Sequence, residues 1–140
     1  MKIMKIQNKE TLFRGKRKDG GGWVYGYYLE KYEYVNRTQV NHYIILTSDG
    51  EEYEVIPDTV SECMGLICKL NKEKPKIFTG DIVVKHYEII ENETTVCTWS
   101  DIYSCFCFKN KTGETLFFQD CDSDKLELIG NIWDNPDLIN

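Results

Sequence analysis

Four side chains are the best suited to proton transfer or cation binding: His42, His86, and the aspartates Asp58 and Asp81, each placed just after a turn-forming residue. An imidazole base needs a nucleophile and an orienting partner within hydrogen-bond reach. Paired carboxylates hold hard cations through oxygen. The sequence contains no Gly-x-Ser-x-Gly elbow, no phosphate-binding loop and no His-Glu-x-x-His pair to arrange such groups. Each aspartate is therefore expected to accept backbone N–H bonds within its turn, and each histidine to be an ordinary sheet residue. A hydrolase or nuclease built on Asp58, Asp81 and His86 is the least favoured reading. No catalytic residue is assigned, and the chain is expected not to be an enzyme.

The six cysteines, Cys63, Cys68, Cys97, Cys105, Cys107 and Cys121, form no Cys-x-x-Cys pair, and the two histidines are far apart in sequence. That spacing does not suit a zinc site. The N-terminus reads without an apolar signal segment, and no stretch reaches membrane-spanning length, so the chain is expected in the cytoplasm, where thiols stay reduced. The cysteines are expected to fill core space as small hydrophobes. No metal or cofactor is expected.

Charge is unevenly spread. Residues 1–18 carry seven Lys/Arg against the single acid Glu10, a charge of +6, which leaves −12 for the rest of a chain whose net charge is −6. Arg14, Lys16 and Arg17 form a candidate contact for phosphate or an acidic partner. The competing reading is a solubilising basic strand edge, with Arg14 paired to a local acid. Trp99, Tyr103 and Trp133 are candidate groove residues, because aromatics near loops of small barrels often line binding surfaces. Trp23, Tyr25 and Tyr27 read instead as a core face.

The elements that must position these residues are short strands. Trp23, Tyr25, Tyr27 and Leu29 alternate onto one face of a strand, and Gly26 marks a bulge or a close backbone approach. Residues 40–47 and 51–56 read as a hairpin around Ser48-Asp49-Gly50. Thr59-x-x-Glu62 matches a helix capping box and Gly65 a C-terminal cap, so a helix of one or two turns is expected near 59–65. The lysine-rich stretch 69–76 reads as a linker. Strands are expected near 81–90, 94–99, 102–108, 114–119 and 126–133, with a loop at Asn110-Lys111-Thr112-Gly113. Five short strands in so few residues suit a small SH3-like barrel. The class is thus mainly β, a β-rich α+β fold. Residues 1–75 form an N-terminal hairpin region with its short helix, and 76–140 form the barrel region.

Four blocks give the chain its family resemblance. They are Phe13-Arg14-Gly15-Lys16-Arg17 with Gly22-Trp23-Val24-Tyr25-Gly26-Tyr27; Val55-Ile56-Pro57-Asp58-Thr59-Val60 with Gly65-Leu66; Ile77-Phe78-Thr79-Gly80-Asp81-Ile82-Val83; and Leu128-Ile129-Gly130-Asn131-Ile132-Trp133-Asp134-Asn135-Pro136. In this order and spacing, over about residues 12–138, the chain resembles the YopX family of phage and prophage proteins. The stretch before Gly80-Asp81 departs from the family's usual Gly-containing turn. The resemblance implies a β-rich fold with an SH3-like barrel, a single YopX-like unit, a bacterial host cytoplasm and self-association into homo-oligomers. It brings no activity, substrate or catalytic residue. The expected function is a non-catalytic module that binds itself and a phage or host protein. The alternative is a nucleic-acid-binding module using the basic N-terminal segment.

Overall fold

Alternating aromatic, β-branched and polar residues favour strands, and strands are what forms. The computed structural model describes residues 12–117 and 122–139. It contains two antiparallel sheets and short 3-10 turns, with no α-helix among the described residues. The chain divides into two units, Met1–Glu62 and Cys63–Asn140.

The first unit holds β1 (Phe13–Lys16), β2 (Trp23–Val35), β3 (Thr38–Leu46), β4 (Glu52–Glu54) and the start of β5 (Ser61–Ile67). Their order in the sheet is β4-β3-β2-β1-β5. β1 is thus an interior strand, with Arg14 opposite Tyr25 on one side and Ser61 on the other. It is not the basic edge expected from its lysines. Val24, Ile45 and Val55 are the buried centre, with Phe13, Tyr28, Tyr43, Tyr53 and Val60 packed around them. The core face of β2 is therefore the one carrying Val24 and Tyr28. Tyr25 and Tyr27 are exposed, which reverses the expected assignment. Both faces of this strand carry large apolar residues, so period-two alternation alone could not choose between them. Gly26 does mark a close approach: a Cβ there would fall 2.0 Å from the Leu46 carbonyl oxygen.

The expected helix near 59–65 is replaced by a 3-10 turn, Pro57–Thr59, followed by β5. The Thr59 hydroxyl donates to the Ile56 carbonyl at 2.6 Å and accepts the Lys16 N–H at 2.8 Å, tying β1 to the turn rather than capping a helix. Glu62 pairs with Phe13 instead of reaching back. A one-turn helix pays full nucleation cost, and strand pairing on both sides outweighs it here. Gly65 takes a φ of +82° where the pairing of β5 is irregular.

In the second unit, the last part of β5 pairs with β6 (Lys76–Phe78). A five-stranded sheet follows, made of β7 (Asp81–Lys85), β8 (Glu93–Ser100), β9 (Cys105–Asn110), β10 (Thr115–Phe117) and β11 (Leu126–Asn131), in the order β10-β9-β8-β7-β11. The five strands occur in the expected order, but β7 stops at Lys85 rather than near 90 and β9 starts at Cys105 rather than near 102; the Asn110–Gly113 loop forms with Asn110 Oδ1 accepting the N–H groups of Thr112 and Glu114. No pairing joins β10 to β11 among the described residues, so the expected barrel is not closed there. The core is Met64, Cys68, Ile77, Val83, Cys97, Phe108 and Leu126. The stretch 69–76 lies inside this unit, where the Asn71 side chain donates to the Leu128 carbonyl and accepts its N–H.

Candidate interaction surface

The supports of the β2–β3 hairpin end well before its tip. β1 pairs with β2 only over Trp23–Gly26, and β4 pairs with β3 only over Ile44–Leu46. Apart from the Val55 N–H, which donates to the Tyr43 carbonyl at 2.8 Å, the six register pairs from Glu30↔Tyr43 to Val35↔Thr38 have no third strand beside them among the described residues. They form a two-stranded arm closed by Asn36 and Arg37, both at positive φ (50° and 66°). This is the two-residue turn whose twist matches that of the strands. Isolated two-stranded ribbons are marginally stable in water, so side-chain pairs along the arm matter.

One face carries Glu30, Tyr32 and Tyr34 opposite Tyr43, Asn41 and Gln39. Tyr32 and Tyr34 meet edge-on, ring centroids 6.1 Å apart, and each is about two-thirds exposed (66% and 67%). The other face carries Lys31, Glu33 and Val35 opposite His42, Val40 and Thr38. His42 Nδ1 contacts Glu54 of β4 and its Nε2 lies 3.1 Å from Glu33 of β2. Lys31 reaches Glu52 at 2.8 Å. The two carboxylates, Glu54 before Glu33, hold the His42 pKa above its ordinary value. These exposed pairs brace the base of the arm, each weakly, because water and salt screen them.

Arg14 is only 5% exposed, its guanidinium 4.5 Å over the Trp23 ring. Arg17 stacks over Tyr53 at 4.4 Å and pairs with Asp19. Lys16 is half-buried. Arg14, Lys16 and Arg17 thus present much less free positive charge than a phosphate-gripping cluster needs. In the second unit, Trp99 and Tyr103 are exposed, Trp99 edge-on to Phe106 and Tyr103 edge-on to Phe117, each at 5.0 Å. Trp133 is half-buried.

Asp58 is exposed on its 3-10 turn, whereas Asp81 is 1% exposed and accepts the Phe78 N–H at 2.8 Å. That is the turn role expected for it. His86 sits between Glu127 (2.9 Å) and Asn92 (3.0 Å). No group of three or more His, Cys, Asp or Glu able to hold a metal ion occurs among the described residues. Cys68, Cys97 and Cys107 are buried as core residues; Cys121 lies outside the described residues. No helix among the described residues is long and apolar enough to cross a membrane.

The block around Gly80-Asp81 and the block 128–136 meet in space at one corner of the second unit. Asn131 pairs with Asp81 across β11 and β7, and the Ile132 N–H donates to the Gly80 carbonyl at 2.9 Å. Asn131 Oδ1 accepts the N–H groups of Trp133 and Asp134. A family model described as YopX protein matches residues 12–140. The chain belongs to the YopX family. No curated protein matches it. The YopX blocks thus coincide with packing and turn chemistry: Gly26, Thr59, the Gly80-Asp81 pair and the Asn131–Asn135 turn each hold the fold. The β2–β3 arm lies outside all four blocks. Sequence reasoning missed it, although the run Glu30-Lys31-Tyr32-Glu33-Tyr34 alternates as a strand should, and Asn36 is a residue that tolerates positive φ.

Proposed function

We propose that this YopX chain is a non-catalytic binding module that assembles with copies of itself through the β2–β3 arm. The observation that carries this reading is the exposed pair Tyr32–Tyr34 on a ribbon that no third strand flanks among the described residues. Tyrosine is a favoured contact residue because it combines a large apolar ring with a polar end. The arm's formal charges also balance, Glu30 and Glu33 against Lys31 and Arg37, so copies can approach without the repulsion that the acidic net charge would otherwise impose. Balanced charge does not favour nucleic acid, whose binding draws on positive charge.

The strand order β10-β9-β8-β7-β11, with a 3-10 turn before the last strand, supports an SH3-like reading of the second unit. The setting is the cytoplasm of a bacterium carrying a phage or prophage. Light scattering on the full chain over a concentration series tests the reading. The expected result is a mass above that of one chain which rises with concentration. A single-chain mass throughout contradicts it.

A further inference from the structure

The arm also fixes how two copies would pair. In a hairpin closed by two residues, the flanking pair exchanges both ladder bonds, and bonding then alternates along the strands. Val35 flanks the turn opposite Thr38. Val35, Glu33, Lys31 and Leu29 therefore direct their backbone groups toward β3, while Tyr34, Tyr32, Glu30 and Tyr28 direct theirs outward. Over that outer edge no strand pairs with β2 among the described residues. An open edge of this kind is a template for another strand.

We propose that β2 of one copy pairs antiparallel with β2 of a second, centred on Tyr32 opposite Tyr32, giving a continuous four-stranded sheet β3-β2-β2-β3 across a twofold axis. The proposal rests on the self-assembly reading above. A twofold interface must be self-complementary, and the sequence of the arm decides the register. With Tyr32 at the centre, Lys31 of each copy lies opposite Glu33 of the other, Leu29 opposite Val35, and Glu30 opposite Tyr34. The two neighbouring registers that also satisfy the outward bonding place Lys31 opposite Lys31, or Glu33 opposite Glu33. Like charges directly opposite are destabilising. Lys31 and Glu33 would occupy non-hydrogen-bonded positions, where side chains approach most closely. On the other face the four rings of Tyr32 and Tyr34 gather over the axis and lose water together.

The test is a charge exchange in the full chain, read by sedimentation velocity. Lys31→Glu alone and Glu33→Lys alone each put like charges opposite one another and should weaken association by on the order of tenfold. Mixing the two single variants restores complementary pairs between unlike copies, and K31E/E33K restores them between like copies. Both should associate about as the native chain does. Rescue by mixing also separates the interface from damage within one arm, because lost contacts to Glu52 or His42 cannot be repaired by another molecule. Single variants that associate as the native chain does would overturn this register while leaving self-assembly standing. Weakened single variants that mixing fails to rescue would also overturn it. A native chain that is a monomer throughout overturns both the register and the self-assembly reading.

Discussion

The Trp133 ring occupies the space that any side chain at residue 80 would need. A Cβ built on Gly80 would lie 2.3 Å from Cζ3 and 2.4 Å from Cη2 of that ring, and Gly80 also holds a φ of +87°. Gly80→Ala therefore meets two penalties: left-handed backbone strain of about 1–2 kcal/mol and displacement of a packed indole. A loss of roughly 2–4 kcal/mol in unfolding free energy is expected, measured by urea denaturation with Trp fluorescence. A loss under about 0.5 kcal/mol, the range of ordinary surface changes, would show that the corner is not packed as described.

His42 offers a titration. Its pKa is raised by Glu54 first and Glu33 second, so the folded arm favours the imidazolium. The stabilisation it brings is full below the unfolded value of about 6.5 and disappears as pH rises through the higher folded value. NMR should show the His42 ring titrating above an unperturbed histidine. Glu54→Gln should move the midpoint down, and amide exchange in the arm should quicken as pH rises through the native midpoint, beyond the intrinsic rise in exchange rate.

Cys68 has no exposed surface, and burial, then the nearby Asp81 and Glu127, push its thiol up to about 12. The thiolate is the reactive species. Brief alkylation of the native chain followed by mass spectrometry should label the half-exposed Cys63 and Cys105 well before Cys68. Equal rates would contradict the packing of this core.

Arg37 closes the arm at a φ of +66°, a conformation that suits glycine. Arg37→Gly should relieve about 1–2 kcal/mol of backbone strain and return roughly 0.5–1 kcal/mol as chain entropy. The arm should therefore gain up to about 1.5 kcal/mol, seen as slower amide exchange at Val35 and Thr38, the register pair that flanks the turn. Faster exchange would argue against the two-residue turn.

Much of the second unit was readable in the sequence because its strands are bounded by strong turn signals, Gly80-Asp81 and Asn110 to Gly113 among them. Local chemistry sufficed there. The first unit was harder to read. Trp23-Val24-Tyr25-Gly26-Tyr27-Tyr28 is apolar on both faces, so the buried side was decided by Ile45 and Val55, which are distant in sequence. Thr59-x-x-Glu62 matches a helix start, but pairing with β1 outweighed it. The arm is polar on its outer half, and its Asn36-Arg37 turn lacks the glycine that usually announces one. Arg14, exposed on the reading of charge alone, is buried because β1 lies inside the sheet and Trp23 covers it. Of the aromatic candidates, Trp99 and Tyr103 did prove exposed.

Self-assembly through the arm is tested by removing the arm's outer part. Lys31 and His42 are register partners, so joining them through Asn-Gly replaces residues 32–41 with a two-residue turn suited to the strands and keeps Tyr43 in its packing. Sedimentation velocity of the native and shortened chains, over the same concentrations, gives the answer. The native chain is expected to associate with rising concentration while the shortened chain stays a monomer with its strand circular dichroism intact. A folded, shortened chain that associates as strongly as the native one would contradict self-assembly through the arm.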